Sequence, residues 1–263
     1  MCSFTFNMTI IDTHVHLDHL DHIEGVLKNA CESGVEAVVT VGVDLAANKK
    51  NLELKRSTQR PKIYVALGIH PGNIKTEEVD EGIQFIRDHV REAKAIGEIG
   101  LDFWYKWVKK DQQKKDEQRR VFHRQLRLAQ EFDLPAVIHS RGAWRECFEA
   151  AKEEKIKRAV FHWYSGPLDV LKDIVSNGYF LSATPSLAYS PQSREAISHA
   201  PIEHTLIETD SPVYFGTEGS DGFQAEPKDV FRTLKAYCAL KNMEEEKALE
   251  IFNRNAKEFF SLD

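Results

Sequence analysis

Short hydrophobic runs alternate with amphipathic stretches along almost the whole chain. The apolar runs predict eight strands, at about residues 10–17, 37–41, 63–69, 95–99, 135–138, 159–161, 179–182 and 205–207. The stretches between them carry apolar residues at helical spacing, and they predict helices at about 21–33, 44–58, 76–89, 114–132, 145–153, 168–176 and 191–199. Asp44 is a candidate N-cap, and Gly34 and Pro61 are candidate helix terminators. Two further helices are predicted in the tail, at 227–240 and 244–260.

This alternation predicts an α/β protein with a parallel sheet. Strands that are apolar nearly throughout are typical of sheets covered on both faces, and eight strand–helix units close naturally into a (β/α)8 barrel of the TIM type. An open, doubly wound sheet is the alternative, but it normally has a glycine-rich phosphate loop after its first strand. We expect residues 1–263 to form a single domain. Two small domains are the alternative, although no Pro/Gly/Ser-rich linker divides the chain.

The first strand ends in a His-x-His motif instead of a glycine-rich loop. Side chains alternate along a strand, so His14 and His16 point to the same side and can bind one metal ion together. Neutral imidazoles suit Zn²⁺ and similar ions, although two of them do not complete a site. A histidine-rich surface is the alternative interpretation, because His19 and His22 follow closely.

Other potential metal ligands stand at the carboxyl ends of the later strands, where barrel enzymes place their chemistry. Together with the first motif the set comprises His14, His16, His70, Glu98, His139, His162 and Asp210. A single histidine in such a position is usually structural or exposed, but the set as a whole would converge on one mouth of a barrel. Five histidines and two carboxylates exceed what one tetrahedral ion needs. We therefore expect two divalent ions, about 3.5–4 Å apart, that share a carboxylate.

Six short motifs, in this order, resemble the TatD-like metal-dependent deoxyribonucleases, a family of the amidohydrolase superfamily with distorted barrels. The motifs are Asp12-Thr13-His14-Val15-His16-Leu17-Asp18, Gly68-Ile69-His70-Pro71, Gly97-Glu98-Ile99-Gly100-Leu101-Asp102, Ile138-His139-Ser140-Arg141, Phe161-His162-Trp163-Tyr164-Ser165-Gly166 and Glu208-Thr209-Asp210-Ser211-Pro212. The resemblance extends over nearly the whole chain.

The resemblance implies a ligand set and a reaction. It places His14, His16, Glu98 and Asp210 on one ion, and Glu98, His139 and His162 on the other. Glu98 would bridge the two ions, at the strand where many superfamily relatives carry a carbamylated lysine; Lys94 lies too early to compete. The implied reaction is hydrolysis of phosphodiester bonds, exonucleolytic on single-stranded DNA, with Zn, Mg or Mn as the metal. Asp210 would be both a ligand and the acceptor of a proton from the attacking water.

Three further residues stand near the predicted ligands. Two of them have two interpretations each, and the third has a supporting role. His70 could bind a phosphate oxygen or be a capped loop histidine. Arg141 could meet a phosphate as a bidentate donor or form a surface salt bridge. Asp102 could orient a metal-bound histidine, as carboxylates near metal sites commonly do.

The segment from Trp104 to Lys110 interleaves aromatic residues with lysines directly after the predicted bridging glutamate. This composition is typical of surfaces on which unpaired bases stack while the phosphate backbone meets positive charge. A loop followed by a solvated charged helix is the alternative, since Asp111, Asp116 and Glu117 dilute the basic run.

Two departures from the family pattern bear on the substrate. Gly72 stands where the family often has a second histidine, and Gln224 stands where an arginine is common. Both changes remove potential phosphate contacts and leave the predicted metal site intact. A hydrolase of a small ester, lactone, amide or phosphoester is therefore the alternative function. A catalytically silent binding protein would need a broken ligand set, and no expected ligand is missing.

Composition narrows the remaining choices. The net charge of −6 argues against a protein that coats nucleic acid, although an enzyme can hold a DNA end through metal ions. The four cysteines are far apart and form no C-x-x-C pair, which indicates free thiols in a reducing compartment. The N-terminus lacks a basic region followed by a long apolar run, and no later run is long enough to span a bilayer. We expect a cytoplasmic monomer without membrane partners.

Overall fold

The computed structural model describes residues 9–216 and 222–263. Eight parallel strands in these ranges pair in chain order, from the first to the eighth. They are β1 (Ile10–Val15), β2 (Val35–Val41), β3 (Lys62–Leu67), β4 (Ala95–Gly100), β5 (Ala136–His139), β6 (Ala159–Phe161), β7 (Phe180–Ala183) and β8 (Thr205–Ile207). This order confirms the predicted (β/α)8 barrel, because a doubly wound sheet would place its first strand in the interior of the sheet.

Helices follow the strands and cover the outside of the barrel. In the described residues they are α1 (Ile23–Glu32), α2 (Leu45–Ser57), α3 (Val79–His89), α4 (Gln112–Glu131), α5 (Trp144–Glu153), α6 (Leu168–Ser176), α7 (Pro191–His199), α8 (Val230–Lys241) and α9 (Glu245–Phe260). Asp44 caps α2 by accepting the backbone N–H of Ala47, as its position predicted. No helix among them is long and apolar enough to cross a membrane.

A small hairpin, which the hydrophobic pattern does not predict, follows β8. Its strands are β9 (Tyr214–Phe215) and β10 (Phe223–Gln224), paired antiparallel. Strands of two residues are too short to carry a periodic signal.

Hydrogen bonds between β1 and the segment after β8 close the barrel. The backbone N–H of His16 donates to the carbonyl of Ser211 (2.8 Å), and the N–H of Asp210 donates to the carbonyl of His14 (3.0 Å). Asp12 of β1 adds to these contacts: its fully buried carboxylate accepts hydrogen bonds from the backbone N–H (2.9 Å) and the hydroxyl (2.6 Å) of Thr209. The closure therefore brings the histidines of β1 beside Asp210.

The barrel interior is filled by alternate strand residues, and one end is covered by α9. The inward-facing cluster comprises Ile11, Ala37, Val39, Val41, Tyr64, Ala66, Ala95, Val137, Val160 and Leu206. Phe259 and Phe260, at the end of α9, belong to the same cluster. The amino ends of the strands are thus packed with aromatic rings, which leaves the opposite mouth for polar side chains.

Candidate metal centre

Strand alternation carries two histidines to the inner side of the open mouth. Val137 and Val160 face the barrel interior, so the residues two positions later, His139 and His162, follow on the same side. The predicted ligand residues on β1, β4, β5 and β6 and after β8 converge here. Most are buried, with His14 at 0%, Glu98 at 2% and Asp210 at 5% relative exposure.

Four of these residues form a first cluster with the spacing of a tetrahedral site. The Nε2 atom of His14 lies 3.4 Å from Oε2 of Glu98 and 3.5 Å from Oδ1 of Asp210. The Nε2 atom of His16 lies 3.5 Å and 3.2 Å from the same two oxygens. A tetrahedron with ligand bonds of about 2.0–2.1 Å has edges of about 3.4 Å. The four donor atoms therefore fit around one divalent ion.

Two atoms of the first cluster are buried without a hydrogen bond to any described residue. They are Nε2 of His14 and Oδ1 of Asp210. Buried polar atoms almost always have a partner, since leaving one unsatisfied costs about 1–3 kcal/mol. A cation that accepts lone pairs from both atoms satisfies this requirement, so the donor set fits a metal ion.

A second cluster shares Glu98 with the first. Oε1 of Glu98 lies 2.9 Å from Nδ1 of His139 and 2.8 Å from Nε2 of His162, and these two nitrogens are 3.2 Å apart. Glu98 thus presents one carboxylate oxygen to each cluster. This is the arrangement that a bridging carboxylate requires.

The electrostatics of the centre keep its carboxylates anionic. Burial favours the neutral acid, but the imidazole of His162 and the hydrogen bond with His139 hold the pKa of Glu98 well below its ordinary value. Burial likewise opposes ionisation of Asp210, yet its close contacts with the imidazoles of His16 and His14 lower its pKa. Two buried carboxylates that stay charged, surrounded by imidazoles, form a donor set suited to divalent cations.

Close packing around Glu98 and His139 requires glycine at two positions. A β-carbon on Gly68 would lie 2.6 Å from the carbonyl carbon of Gly97, just before Glu98. Gly100 has a φ angle of +143°, and a β-carbon there would lie 1.9 Å from the carbonyl oxygen of His139. Neighbouring strand ends can therefore approach closely enough to bring Glu98 and His139 together.

His70 points its Nε2 atom into the centre, 3.5 Å from Oε1 of Glu98. Its Nδ1 atom accepts the backbone N–H of Gly72 at 3.0 Å. Burial lowers the pKa of His70 to about 3, so the ring is neutral and carries its single proton on Nε2. His70 therefore faces the centre as a hydrogen-bond donor, and its position also places it in a group of potential metal ligands with Glu98 and His139.

Asp102 connects three groups at the edge of the centre. Its Oδ2 atom lies 2.9 Å from Nε2 of His139 and accepts Nε–H of Arg141 at 2.8 Å, while Oδ1 accepts the backbone N–H of Trp104 at 2.9 Å. Because this contact places the ring proton of His139 on Nε2, the lone pair of Nδ1 is available to a cation. Arg141 is thus held by a carboxylate inside the site and is half-exposed there.

Glu208 is a functional candidate that the sequence interpretation missed. Its buried carboxylate lies 3.4 Å from Nδ1 of His162 and accepts the backbone N–H of Trp163 at 3.0 Å. Glu208 thus places a carboxylate behind His162, at a longer distance than the 2.9 Å between Asp102 and His139. Its position two residues before Asp210 was the available signal, because alternate residues share a face.

The centre lies in a cavity of about 760 Å³. This volume is within the size range of ligand pockets. All the predicted site residues except His14 line it, and so do five aromatic residues: Trp104, Tyr105, Trp144, Trp163 and Tyr189. The hydroxyl of Tyr105 fills the space beside Gly72, where a β-carbon would lie 2.7 Å from it. His19 lines the cavity but belongs to neither cluster, and His22 precedes α1.

A second cavity, of about 650 Å³, lies between α1 and the end of α2. Its walls are formed by Glu24, Leu27, Lys28, Cys31, Ser57, Thr58 and Arg60. None of the metal-ligand groups found in the described residues lies there. The candidate chemistry is therefore confined to the first cavity.

Comparison with known proteins agrees with the resemblance found in the sequence. A family model described as TatD related DNase matches residues 11–261. The chain is 30% identical to the Bacillus subtilis protein "Uncharacterized metal-dependent hydrolase YabD", over 97% of this chain and 100% of that one. It is 29% identical to human "Deoxyribonuclease TATDN3", over 95% and 94% of the two chains.

Solved structures give the same result. The crystal structure of YjjV, a TatD homolog from Escherichia coli K12, superposes with a TM-score of 0.86 at 25% identity, over 97% of this chain and 98% of that one. A hydrolase of the TatD family from Entamoeba histolytica shares the fold, with a TM-score of 0.81 at 20% identity over 96% and 98% of the two chains. The chain belongs to the TatD related DNase family.

Proposed function

We propose that this protein is a metal-dependent deoxyribonuclease that hydrolyses phosphodiester bonds exonucleolytically at single-stranded DNA ends. The observation that carries the proposal is the shared carboxylate of Glu98, with one oxygen in each of two adjacent donor clusters. Two divalent ions are the number that these clusters suggest. The names of the relatives, which include a deoxyribonuclease and a metal-dependent hydrolase, support the reaction class.

The ligands of the first ion would be His14, His16, Glu98 and Asp210, and those of the second would be Glu98, His139 and His162. When bound, divalent ions make water more acidic and neutralise charge on phosphoryl oxygens. The residues of the chain supply the other requirements of hydrolysis.

Asp210 is the proposed proton acceptor. Its pKa lies below the ordinary value, so the carboxylate is available as a base. It occupies the first cluster and lines the cavity, and it can accept the proton of an attacking water there.

His70 and Arg141 are the proposed phosphate-binding residues. The Nε2–H of His70 can donate to a non-bridging phosphate oxygen. Asp102 takes Nε–H of Arg141 and leaves the two terminal amino groups of the guanidinium to meet a phosphate as a pair.

Hydrolysis of a small ester, lactone, amide or phosphoester is the second candidate. The observation that favours it is Gly72, which offers no side chain to a phosphate and has the hydroxyl of Tyr105 in the space beside it. Turnover of small compounds with inert oligonucleotides would select this alternative.

The experiment is release of nucleotides from end-labelled oligonucleotides by protein loaded with Mg²⁺, Mn²⁺ or Zn²⁺. We expect release with at least one metal, and loss of release in Asp210→Asn. Asp80→Asn is the matched control, because the Asp80 side chain is 88% exposed and distant from the cavity lining. Absence of release with all three metals would refute the proposal.

Location and assembly complete the proposal. We propose a cytoplasmic monomer, for which the free thiols of Cys31, Cys147 and Cys238 are the supporting observation. Cys2 lies outside the described residues.

A further inference from the structure

One exposed tryptophan beside the metal centre is packed against neighbouring residues. Trp104 is 57% exposed, yet its pyrrole ring lies against Gly142, where a β-carbon would be 2.3 Å from Cδ1. Trp144 packs edge-on against it, with ring centroids 5.6 Å apart and planes at 90°. Trp144 is itself supported by Gly166, where a β-carbon would lie 2.6 Å from the indole. A large aromatic surface is therefore presented to solvent in one orientation.

Hydrogen bonds link this aromatic surface to the metal centre. Asp102 accepts the backbone N–H of Trp104 at 2.9 Å, and through its other oxygen it contacts His139, which in turn contacts Glu98 at 2.9 Å. Trp104 lines the same cavity as Glu98 and Asp210. The backbone of Trp104 is thus anchored to the carboxylate that contacts a candidate metal ligand.

A cation lies next to the aromatic surface. The guanidinium of Arg141 lies 5.0 Å from the centre of the Tyr105 ring and donates Nε–H to Asp102. Its terminal amino groups make no hydrogen bond to a residue in the ranges 9–216 and 222–263. Trp104 and Arg141 line the same cavity, and the indole packs against Gly142, the residue after Arg141. An aromatic face and an available guanidinium in one cavity match the two parts of a nucleotide: the base and the phosphate.

We propose that Trp104 is the stacking platform for an unpaired nucleobase next to the bond that is cleaved, with Arg141 on the adjacent phosphate. This proposal rests on the proposed nuclease function and specifies its substrate. A base within a duplex has both faces covered by its neighbours, so it cannot stack on the indole. An aromatic ring in the cavity of the metal centre would favour nucleotides whose base is free, without reading the sequence, because every base has a π-face.

The test compares substrate ends with and without a base. Single-stranded oligonucleotides with an intact or an abasic terminal nucleotide, at each end in turn, are cleaved by the metal-loaded protein and by Trp104→Ala. We expect Trp104→Ala to lower kcat/KM for the intact end about 5- to 100-fold. Cleavage of the abasic end should stay within about twofold. Trp104→Phe, which keeps a π-face, should restore most of the loss.

The matched control is Tyr214→Ala. Tyr214 is an aromatic residue that is 65% exposed and does not line the cavity, so cleavage of the intact end should stay within about twofold. Circular dichroism establishes that each variant is folded. Binding of fluorescent oligonucleotides in an Asp210→Asn background gives a readout that is independent of turnover, and the preference for the intact end should disappear with Trp104→Ala.

The outcomes separate the two proposals. If the wild-type protein cleaves oligonucleotides and Trp104→Ala is indistinguishable from it, the stacking platform is refuted and the nuclease function stands. If the protein neither cleaves nor binds oligonucleotides with any of the three metals, the nuclease function fails and the platform fails with it.

Discussion

Replacing Asp102 by asparagine tests the assembly of the second cluster without changing the shape of the side chain. The buried carboxylate accepts three hydrogen bonds, from His139, Arg141 and the backbone of Trp104. An asparagine has one oxygen and one NH2 group in their place. If the oxygen faces Trp104, the NH2 group opposes Nε–H of Arg141 and donates to His139. That contact moves the imidazole proton from Nε2 to Nδ1, the atom that faces Glu98.

The size of the effect follows from these contacts. Loss of a carboxylate behind a metal-bound histidine typically lowers metal affinity about 10- to 100-fold, which corresponds to about 1.4–2.7 kcal/mol. The other orientation of the amide sets its NH2 group against the N–H of Trp104, so a buried donor is unsatisfied in either case. This costs the fold about 1–3 kcal/mol. We expect weaker binding of the second ion and a modest loss of stability.

Calorimetric titration of chelator-treated protein with Mn²⁺ or Zn²⁺ measures the affinities of the two proposed sites. In Asp102→Asn the affinity of one ion should fall and that of the other should remain, because Asp102 contacts no residue assigned only to the first ion. Asp80→Asn is again the exposed control. Unchanged affinities, or an equal fall at both sites, would contradict the role assigned to Asp102.

Three further predictions test the centre and its scaffold. Chelation should lower the melting temperature by about 5–10 °C relative to protein with metal at about 100 times its Kd; calorimetric scans with and without chelator measure the shift, and no shift would argue against resident ions. His70→Ala should lower kcat about 10- to 100-fold, as expected for a lost hydrogen bond to a charged group, with the same number of ions bound; loss of one ion in metal analysis would instead make His70 a ligand. Gly100→Ala should destabilise the protein by about 3–5 kcal/mol through its φ angle and its clash with the carbonyl of His139. Gly178→Ala, also at positive φ but with free space around it, should cost only about 1–2 kcal/mol in urea unfolding.

The sequence predicted the fold because each strand has a strong local signal. The runs at β2 and β4 are apolar nearly throughout, and turn or capping residues such as Gly34 and Asp44 bound the helices beside them. Eight repeats of the same unit leave few topologies open. The hairpin of β9 and β10 was not predictable, because two-residue strands have no period and depend on the surrounding packing.

The set of residues at the centre was predictable, but their partners were not. Position at strand ends was enough to select His139 and His162, since strand ends of a parallel barrel share one mouth. The partner of His162 is Glu208, and finding it required the three-dimensional approach of β6 and β8 across β7. Trp144 stands just before the helix predicted at 145–153, and nothing in the local pattern indicated that it packs against Trp104.

The same residues form the hydrogen bonds that close the barrel and the first cluster of side chains. The backbone groups of His14, His16 and Asp210 form the hydrogen bonds between β1 and the segment after β8, while their side chains point at one another across the cluster. Asp210 adopts a positive φ of 51° at this point, a strained conformation that persists only where the surroundings enforce it. An ion bound by these side chains would therefore also tie the first strand to the last. Stability of the closed barrel and occupancy of the first site should rise and fall together.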